Sequence, residues 1–405
     1  MKNLLLSTAL AFGLVIASIA LVMTTTTLAF GYELSGYISV EGRFFVNEAT
    51  FPEQEKNSGS LAIAPELYHQ WESGSALTFA PYVRLDNTDP ERTHFDIREL
   101  NYLLLGETWE LRLGVGKVFW GTTEFVHLVD IVNQTDFVEN IDGEDKLGQP
   151  MLHLALVNDW GVIDMFALPY FRERTFPGPE GRLRFGLKVD TDHPVYESAD
   201  EEHHTDYAFR YSHYVGVLDF GVSYFTGTGR EPTLLPGTDS GGQPVLIPFY
   251  ELIDQTGVDL QVVAGQWLLK LEAIQRTGQG EDFMALTGGF EYTFTGLGGS
   301  AVDLGFIGEW AYDDRGEAAT TPNEDDIMAA VRIAFNDPSG SEVLAGMALD
   351  TDSSARIISV EASRRFGSSV KASLEAYAFV DLPTGDPLYY LRDDDYVRLE
   401  IACYF

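Results

Sequence analysis

From Tyr32 onward, apolar and polar positions alternate with a period of two over one short segment after another. Successive side chains of a strand point to opposite faces, so this pattern predicts strands with one apolar and one polar face. The last ten residues show it most cleanly. Val397, Leu399, Ile401, Cys403 and Phe405 share one face, and Tyr396, Arg398, Glu400, Ala402 and Tyr404 share the other. The same reading predicts eighteen strands, with sixteen as the alternative count: 32–46, 60–71, 76–86, 94–105, 109–119, 151–157, 162–171, 206–214, 218–225, 255–263, 267–276, 282–294, 301–312, 326–335, 342–349, 355–366, 369–380 and 396–405. One segment breaks the alternation, at Asp96, Arg98, Glu99 and Leu100. A bulge near Arg98–Glu99 would restore its phase.

The connections also alternate. After even-numbered strands they are short, as in Glu72-Ser73-Gly74-Ser75, Gly106-Glu107-Thr108, Val215-Gly216 and Gly367-Ser368. After most odd-numbered strands they are longer and polar. The faces are consistent in chemistry. Ile327, Ala329, Val331, Ile333 and Phe335 stand opposite Arg332, and Val370, Ala372, Leu374, Ala376 and Ala378 stand opposite Lys371, Glu375 and Tyr377. An apolar face suits lipid, where a midplane charge costs roughly 2–4 kcal/mol, and the charged face suits a watery lumen. Aromatics such as Trp71, Trp109, Trp267, Phe294, Trp310 and Phe366 fall near strand ends, as interfacial girdles require.

The N-terminus points the same way. Met1-Lys2-Asn3 precedes an apolar run from Leu4 to Val22, and small residues stand at Thr27 and Ala29. That is the pattern of a signal peptide, residues 1–29, with cleavage after Ala29 and the remainder, 30–405, as one domain. No later segment holds the roughly 18 consecutive apolar residues of a spanning helix. An exported chain without such a helix can still span a membrane by closing a barrel.

With the two ends and the loop rhythm in view, the chain resembles the Gram-negative outer-membrane β-barrel proteins of the porin type. The resemblance covers the whole chain, but it assigns no substrate-defined family. It implies an all-β, up-and-down antiparallel transmembrane barrel with short periplasmic turns and long extracellular loops. It implies that Phe405, with Cys403, Ile401 and Leu399 on the same face, is the signal read by the barrel-assembly machinery. It also implies outer-membrane lipid and lipopolysaccharide as surroundings, and either a monomer or a homotrimer.

Composition narrows the function. The chain of 405 residues carries a formal net charge of -36, which excludes nucleic-acid binding through a basic surface. Cys403 is the single cysteine, so neither an internal disulfide nor a zinc-type cysteine cluster is available. No metal site or other cofactor is expected. The acidic run Asp200-Glu201-Glu202-His203-His204 reads as a solvated outer loop. Ser212 and His213 are neighbours on one strand and face opposite ways, so no catalytic constellation is legible and no enzyme is expected.

The segment Gly121–Pro150 is the candidate working part. It follows the fifth strand, close to where the porins it resembles carry an inward-folded constriction loop. Its Phe125, Leu128, Val129 and Val132 are spaced for a short amphipathic helix. Asp136, Glu139, Asp142, Glu144 and Asp145 would then face the opening, with Arg43, Arg84, Arg112, Arg210 and Arg332 offered from the lumen side of the strands. Carboxylates opposite arginines set up a transverse field, and the net negative charge favours cations. The expected activity is passive diffusion of small hydrophilic solutes with a cation preference. The rivals are a transporter or exporter of larger or hydrophobic substrates, and a non-conducting scaffold or receptor. A plugged, energy-coupled transporter is disfavoured, because strand one follows the signal peptide almost directly.

Overall fold

Twenty-one strands form in the computed structural model, which describes residues 31–405; the expected signal peptide lies outside the described residues. They are β1 (Glu33–Phe45), β2 (Asn57–Gln70), β3 (Ala76–Asp86), β4 (His94–Leu105), β5 (Trp109–Gly116), β6 (Gln149–Asn158), β7 (Gly161–Leu168), β8 (Val195–Tyr196), β9 (Asp206–Val215), β10 (Leu218–Thr228), β11 (Thr233–Thr238), β12 (Pro244–Tyr250), β13 (Leu252–Ala264), β14 (Trp267–Thr277), β15 (Phe283–Phe294), β16 (Asp303–Asp313), β17 (Asp325–Ala334), β18 (Glu342–Asp350), β19 (Arg356–Phe366), β20 (Val370–Val380) and β21 (Tyr396–Tyr404).

Eighteen of these make one antiparallel sheet in which each strand pairs with the next. β7 pairs directly with β9, and β10 with β13. β21 returns to β1, from Tyr37 opposite Tyr404 to Phe45 opposite Tyr396, and the barrel closes. Closure leaves no unpaired edge, which is the condition for strands to sit in lipid. Val40, Phe44, Leu399 and Ile401 are exposed on the outer wall near this seam, while Ser39, Glu41, Arg43 and Tyr396 are buried inside. The tight connections between β9 and β10 and between β13 and β14 begin on Gly216 and Gly265, both at positive φ (64° and 68°), which a residue with a Cβ adopts only under strain.

The anticipated bulge is present. Ala80 faces Glu99 and Pro81 faces Ile97, so Arg98 is the extra residue of β4. Its effect is to turn both Asp96 and Arg98 inward while Leu100 stays on the outer surface.

Three features depart from the sequence reading. The fifth and seventh strands end at Gly116 and Leu168, earlier than residues 119 and 171. There the chain turns into the lumen, and its backbone finds other partners: the Val118 N–H donates to Asn133 Oδ1 at 2.8 Å, and the Phe171 N–H to the Glu202 carbonyl at 2.7 Å. Second, a small separate sheet forms in the long loops, with β11 antiparallel to β12 and β8 parallel to β12. Pro236 lies on its edge strand β11 and Pro244 at the first position of β12, both places where a strand tolerates proline. Third, the amphipathic helix expected around Phe125–Val132 does not form.

Candidate functional site

In place of the helix, the segment is an irregular chain whose backbone N–H groups are held by wall carboxylates. Glu272 on β14 accepts from the backbone N–H groups of Thr122 at 2.6 Å, Thr123 at 3.1 Å and Val129 at 3.2 Å. Glu309 on β16 accepts from Glu124 at 2.8 Å and from Phe125 at 3.1 Å. A buried N–H must be paired, and these carboxylates, already projecting into the lumen, pair the N–H groups of residues 122–125 and 129.

Residues 117–148 therefore cross the barrel interior as an irregular, firmly held chain. On one side its Trp120, Val129, Ile131 and Val132 are buried in an apolar cluster with Met151, Phe166, Leu168, Ala208, Phe225, Ile253, Ile274, Phe283 and Ala285 from β6 through β15. Close approach is built in: a Cβ on Gly257 of β13 would stand 3.1 Å from Val129. Two further segments lie against it. Arg172 reaches Asp96 Oδ1 at 2.5 Å, and Arg230 donates to the Val132 carbonyl and to Asp206 Oδ2.

On the other side the loop meets charge. Asp136 is fully buried; Arg98 Nη2 lies 2.5 Å from its Oδ2, and His94 Nε2 lies 3.1 Å away. Glu139 is buried beside it, with Arg84 Nη2 at 2.7 Å and the Tyr82 hydroxyl donating at 2.9 Å. Glu41 of β1 joins Arg43, Arg84, Arg92 and Arg398 into the same network, at 3.0, 3.3, 2.8 and 2.8 Å. Burial alone would raise the carboxyls of Asp136 and Glu139. The surrounding partners, His94 and Arg98 for Asp136 and Arg84 and Arg92 for Glu139, more than offset it and hold both below the ordinary range. His94, Asp136 and Glu139 stand close enough to hold a metal ion, but Arg98 and Arg84 already neutralise the two carboxylates, so ion pairing accounts for the cluster.

The remaining loop acids behave differently. Asp142 meets amides, the Asn140 side chain and the Glu144 N–H at 3.0 Å. Hydration lost inside the barrel first, and then Glu144, Asp145 and Glu375, push its carboxyl up to about 7, although its side chain keeps surface exposed to the lumen. Glu144 is also raised, by lost hydration first and then by Glu361, Asp145, Glu124 and Glu375, all acids. Asp145 is raised as well, by burial and then by Glu139. Glu361 on β19 is exposed toward this face.

The anticipated arginines divide accordingly. Arg43 and Arg84 join Asp136 and Glu139 in the buried network. Arg332 reaches Glu124 of the loop at 2.6 Å. Arg210 pairs with Asp259 and lies 5.6 Å from the Trp120 ring. Arg112 stands apart from the loop acids, at 3.5 Å from Glu110. Glu41, Arg92, Arg98, Arg398, Glu272 and Glu309 were not singled out from the sequence. The inward phase of β1, β14, β16 and β21 marked Glu41, Glu272, Glu309 and Arg398, and Asp96 and Arg98 share the inward face two residues apart before the bulge shifts the phase, while Arg92 lies in the β3–β4 connection, where no periodicity points to it.

Residues of the expected assembly signal lie where the final strand closes the barrel. Leu399 and Ile401 are exposed outward, Cys403 pairs with Ile38, and the Phe405 N–H donates to the Gly36 carbonyl at 3.1 Å.

No protein-family model matches the sequence, and no curated protein does. Solved structures do. OmpT of Vibrio cholerae, an outer-membrane protein in trimer form, aligns over 92% of this chain and 99% of its own, at 9% identity and a TM-score of 0.48. A mutant of the Rh. blastica porin aligns over 92% and 100%, at 12% identity and a TM-score of 0.46. Wzi of Escherichia coli, an outer-membrane protein involved in group 1 capsule assembly and described as a carbohydrate-binding β-barrel, aligns over 91% and 84%, at 10% identity and a TM-score of 0.53. At these identities the similarity speaks to fold alone, and it agrees with the closed antiparallel sheet: the chain folds as an eighteen-stranded antiparallel β-barrel.

Proposed function

We propose that the protein is a channel for passive diffusion of small hydrophilic solutes, preferring cations, and that the conducting path passes the loop acids Asp142 and Glu144. The observation that carries this is the uneven spending of charge. Asp136 and Glu139 are neutralised by buried arginines. Asp142, Glu144 and Glu361 face one another's field with no such compensation. Acid left over at a narrow, low-dielectric passage attracts cations more strongly than the same charge on an outer loop. Export through a cleaved signal peptide, insertion by the assembly machinery and contact with lipopolysaccharide belong to the same proposal, as does either a monomeric or a trimeric pore.

Reconstitution into planar bilayers under a salt gradient tests it. A reversal potential of cation-preferring sign is expected, and anion preference would overturn the charge argument. The loop-filled β6–β15 half supports a second reading, a non-conducting barrel that binds a carbohydrate as Wzi is described to do. A silent bilayer together with saturable oligosaccharide binding would favour that reading.

A further inference from the structure

Beneath the origin of the inward loop, on the short-turn half of β3–β6, the lumen wall forms an open cavity of about 250 Å³. At the roughly 30 Å³ that each water occupies in the liquid, this is space for about eight waters, and hence for a solute of a few heavy-atom groups. Its placement follows from the register. Thr78 pairs with Asn101, Asn101 with Gly114, and Arg112 with His153, so their inward side chains form one patch two to five residues above the short turns. Lys117, the first residue after β5, and Val118 form the ceiling where the chain leaves the wall.

The lining differs from the rest of the lumen in how its cations are used. Arg84, Arg98 and Arg230, by contrast, end in close pairs with buried acids. Here Arg112 has only Glu110, at 3.5 Å between half-exposed groups, which leaves most of its five donors free. Lys117 is exposed and has no acid within ion-pair distance among the described residues. Glu99 holds one hydrogen bond, from Asn101 Nδ2 at 3.1 Å, and keeps acceptor capacity. His153 stacks on Phe166 and meets Asp164 Oδ1 through Nε2 at 2.7 Å, while its buried Nδ1 has no protein partner. Leu103 and Met151 supply an apolar floor.

We propose that this cavity is a binding subsite for a small zwitterionic solute of the amino-acid or dipeptide type. The carboxylate is held by the Arg112 guanidinium and the Lys117 ammonium, and the ammonium by Glu99. A simple cation meets two like charges here and a simple anion meets Glu99, whereas a zwitterion satisfies both signs at once. The subsite deepens the channel reading by naming a solute class, and it rests on that reading only for the route of entry.

Isothermal titration of the full-length protein in detergent micelles tests the subsite without requiring conduction. The probes are L-alanyl-L-alanine, its N-acetyl form, its C-terminal amide and glucose. Saturable binding of the dipeptide is expected, weakened at least about tenfold on loss of either end charge, since one charge-assisted hydrogen bond is worth that much. Arg112→Ala, Lys117→Ala and Glu99→Gln should each weaken it comparably. Lys117→Ala and Glu99→Gln remove no close pair, so they keep the barrel folded if Arg112→Ala does not. No saturable binding, equal affinity for all four probes, or indifference to these substitutions overturns the subsite. A dipeptide-binding protein that is silent in bilayers would leave the subsite standing and remove the channel.

Discussion

Thr123 and Glu272 meet twice, although 149 residues separate them: the threonine hydroxyl donates to Oε1 at 2.7 Å, and its backbone N–H donates to the same oxygen at 3.1 Å. With the N–H groups of Thr122 and Val129, this one carboxylate anchors the entry limb of the inward loop to β14. An orphaned buried donor costs about 1–3 kcal/mol, and Glu272→Ala would orphan several. The loop should then leave its seat. Larger single-channel conductance and new protease cleavage within residues 121–130 are expected, with Glu272→Gln milder because it keeps one acceptor oxygen. Unchanged conductance and protection in the alanine variant would show that the apolar cluster alone holds the loop.

Arg84 bridges Glu139 of the loop and Glu41 of the wall, with all three side chains buried. Removing one member of such a group leaves uncompensated charge in low dielectric, at roughly 3–5 kcal/mol. Arg84→Met should lower the temperature at which the barrel unfolds by calorimetry in micelles. Adding Glu139→Leu should restore much of the loss, since a well-packed apolar pair replaces a buried ionic one at little cost. A double variant less stable than the single would mean that Glu139 is worth more to Arg92 and His94 than to Arg84.

The wall was legible in the sequence because lipid on one side and water on the other impose a strict period of two, and even the exception at Arg98 announced itself as a phase slip. The interior was less legible. Backbone conformation in residues 117–148 is set by carboxylates such as Glu272 and Glu309, far away in sequence, and no local periodicity of Phe125, Leu128, Val129 and Val132 reports such partners. The five loop acids looked equivalent for the same reason. Which of them is neutralised depends on the bulge that turns Arg98 inward and on the phase that places Arg84 opposite Glu139.

The closing seam gives a test of the last strand. Leu399 and Ile401 face outward, and the Phe405 N–H extends the pairing to Gly36. Phe405→Asp puts a charge at the end of the lipid-facing row. Reduced recovery of heat-modifiable protein in outer-membrane fractions is expected, whereas Ala402→Ser, on the inward face, should assemble normally. Equal assembly of the two would remove the terminal signal from the proposal.

Asp142 makes selectivity depend on pH. Its carboxyl titrates near 7, raised by lost hydration and by Glu144, Asp145 and Glu375, against about 3.9 in an unfolded chain. Between those values the folded protein binds a proton that the unfolded chain does not. Its stability therefore falls as pH rises from about 4 to about 7 and levels off above that. Ionisation over the same window adds negative charge to the passage. Cation preference, read from the reversal potential, should thus rise between about pH 6 and 8. Asp142→Asn should flatten that rise, and a profile unchanged by the substitution would place Asp142 away from the ion path.

The five loop acids should separate into two groups with different phenotypes. Asp136 and Glu139 are held below the usual carboxylate range by Arg98, His94 and Arg84. Their contribution to stability is present above about pH 4 and is lost as pH falls through their depressed values. At neutral pH their charge is cancelled within the network, so permeating ions sense little of it. Asp136→Asn with Glu139→Gln should lower the unfolding temperature and unseat the loop, because Arg98 and Arg84 are then left buried and unpaired. Asp142, Glu144 and Asp145 have no such partners, and their amide variants should weaken cation preference with no loss of stability. Neutralising Asp200, Glu201 and Glu202 on the outer segment should do neither, because salt screens exposed charge beyond roughly 8–10 Å. Equal shifts in selectivity from all three sets would mean that the loop does not border the conducting path.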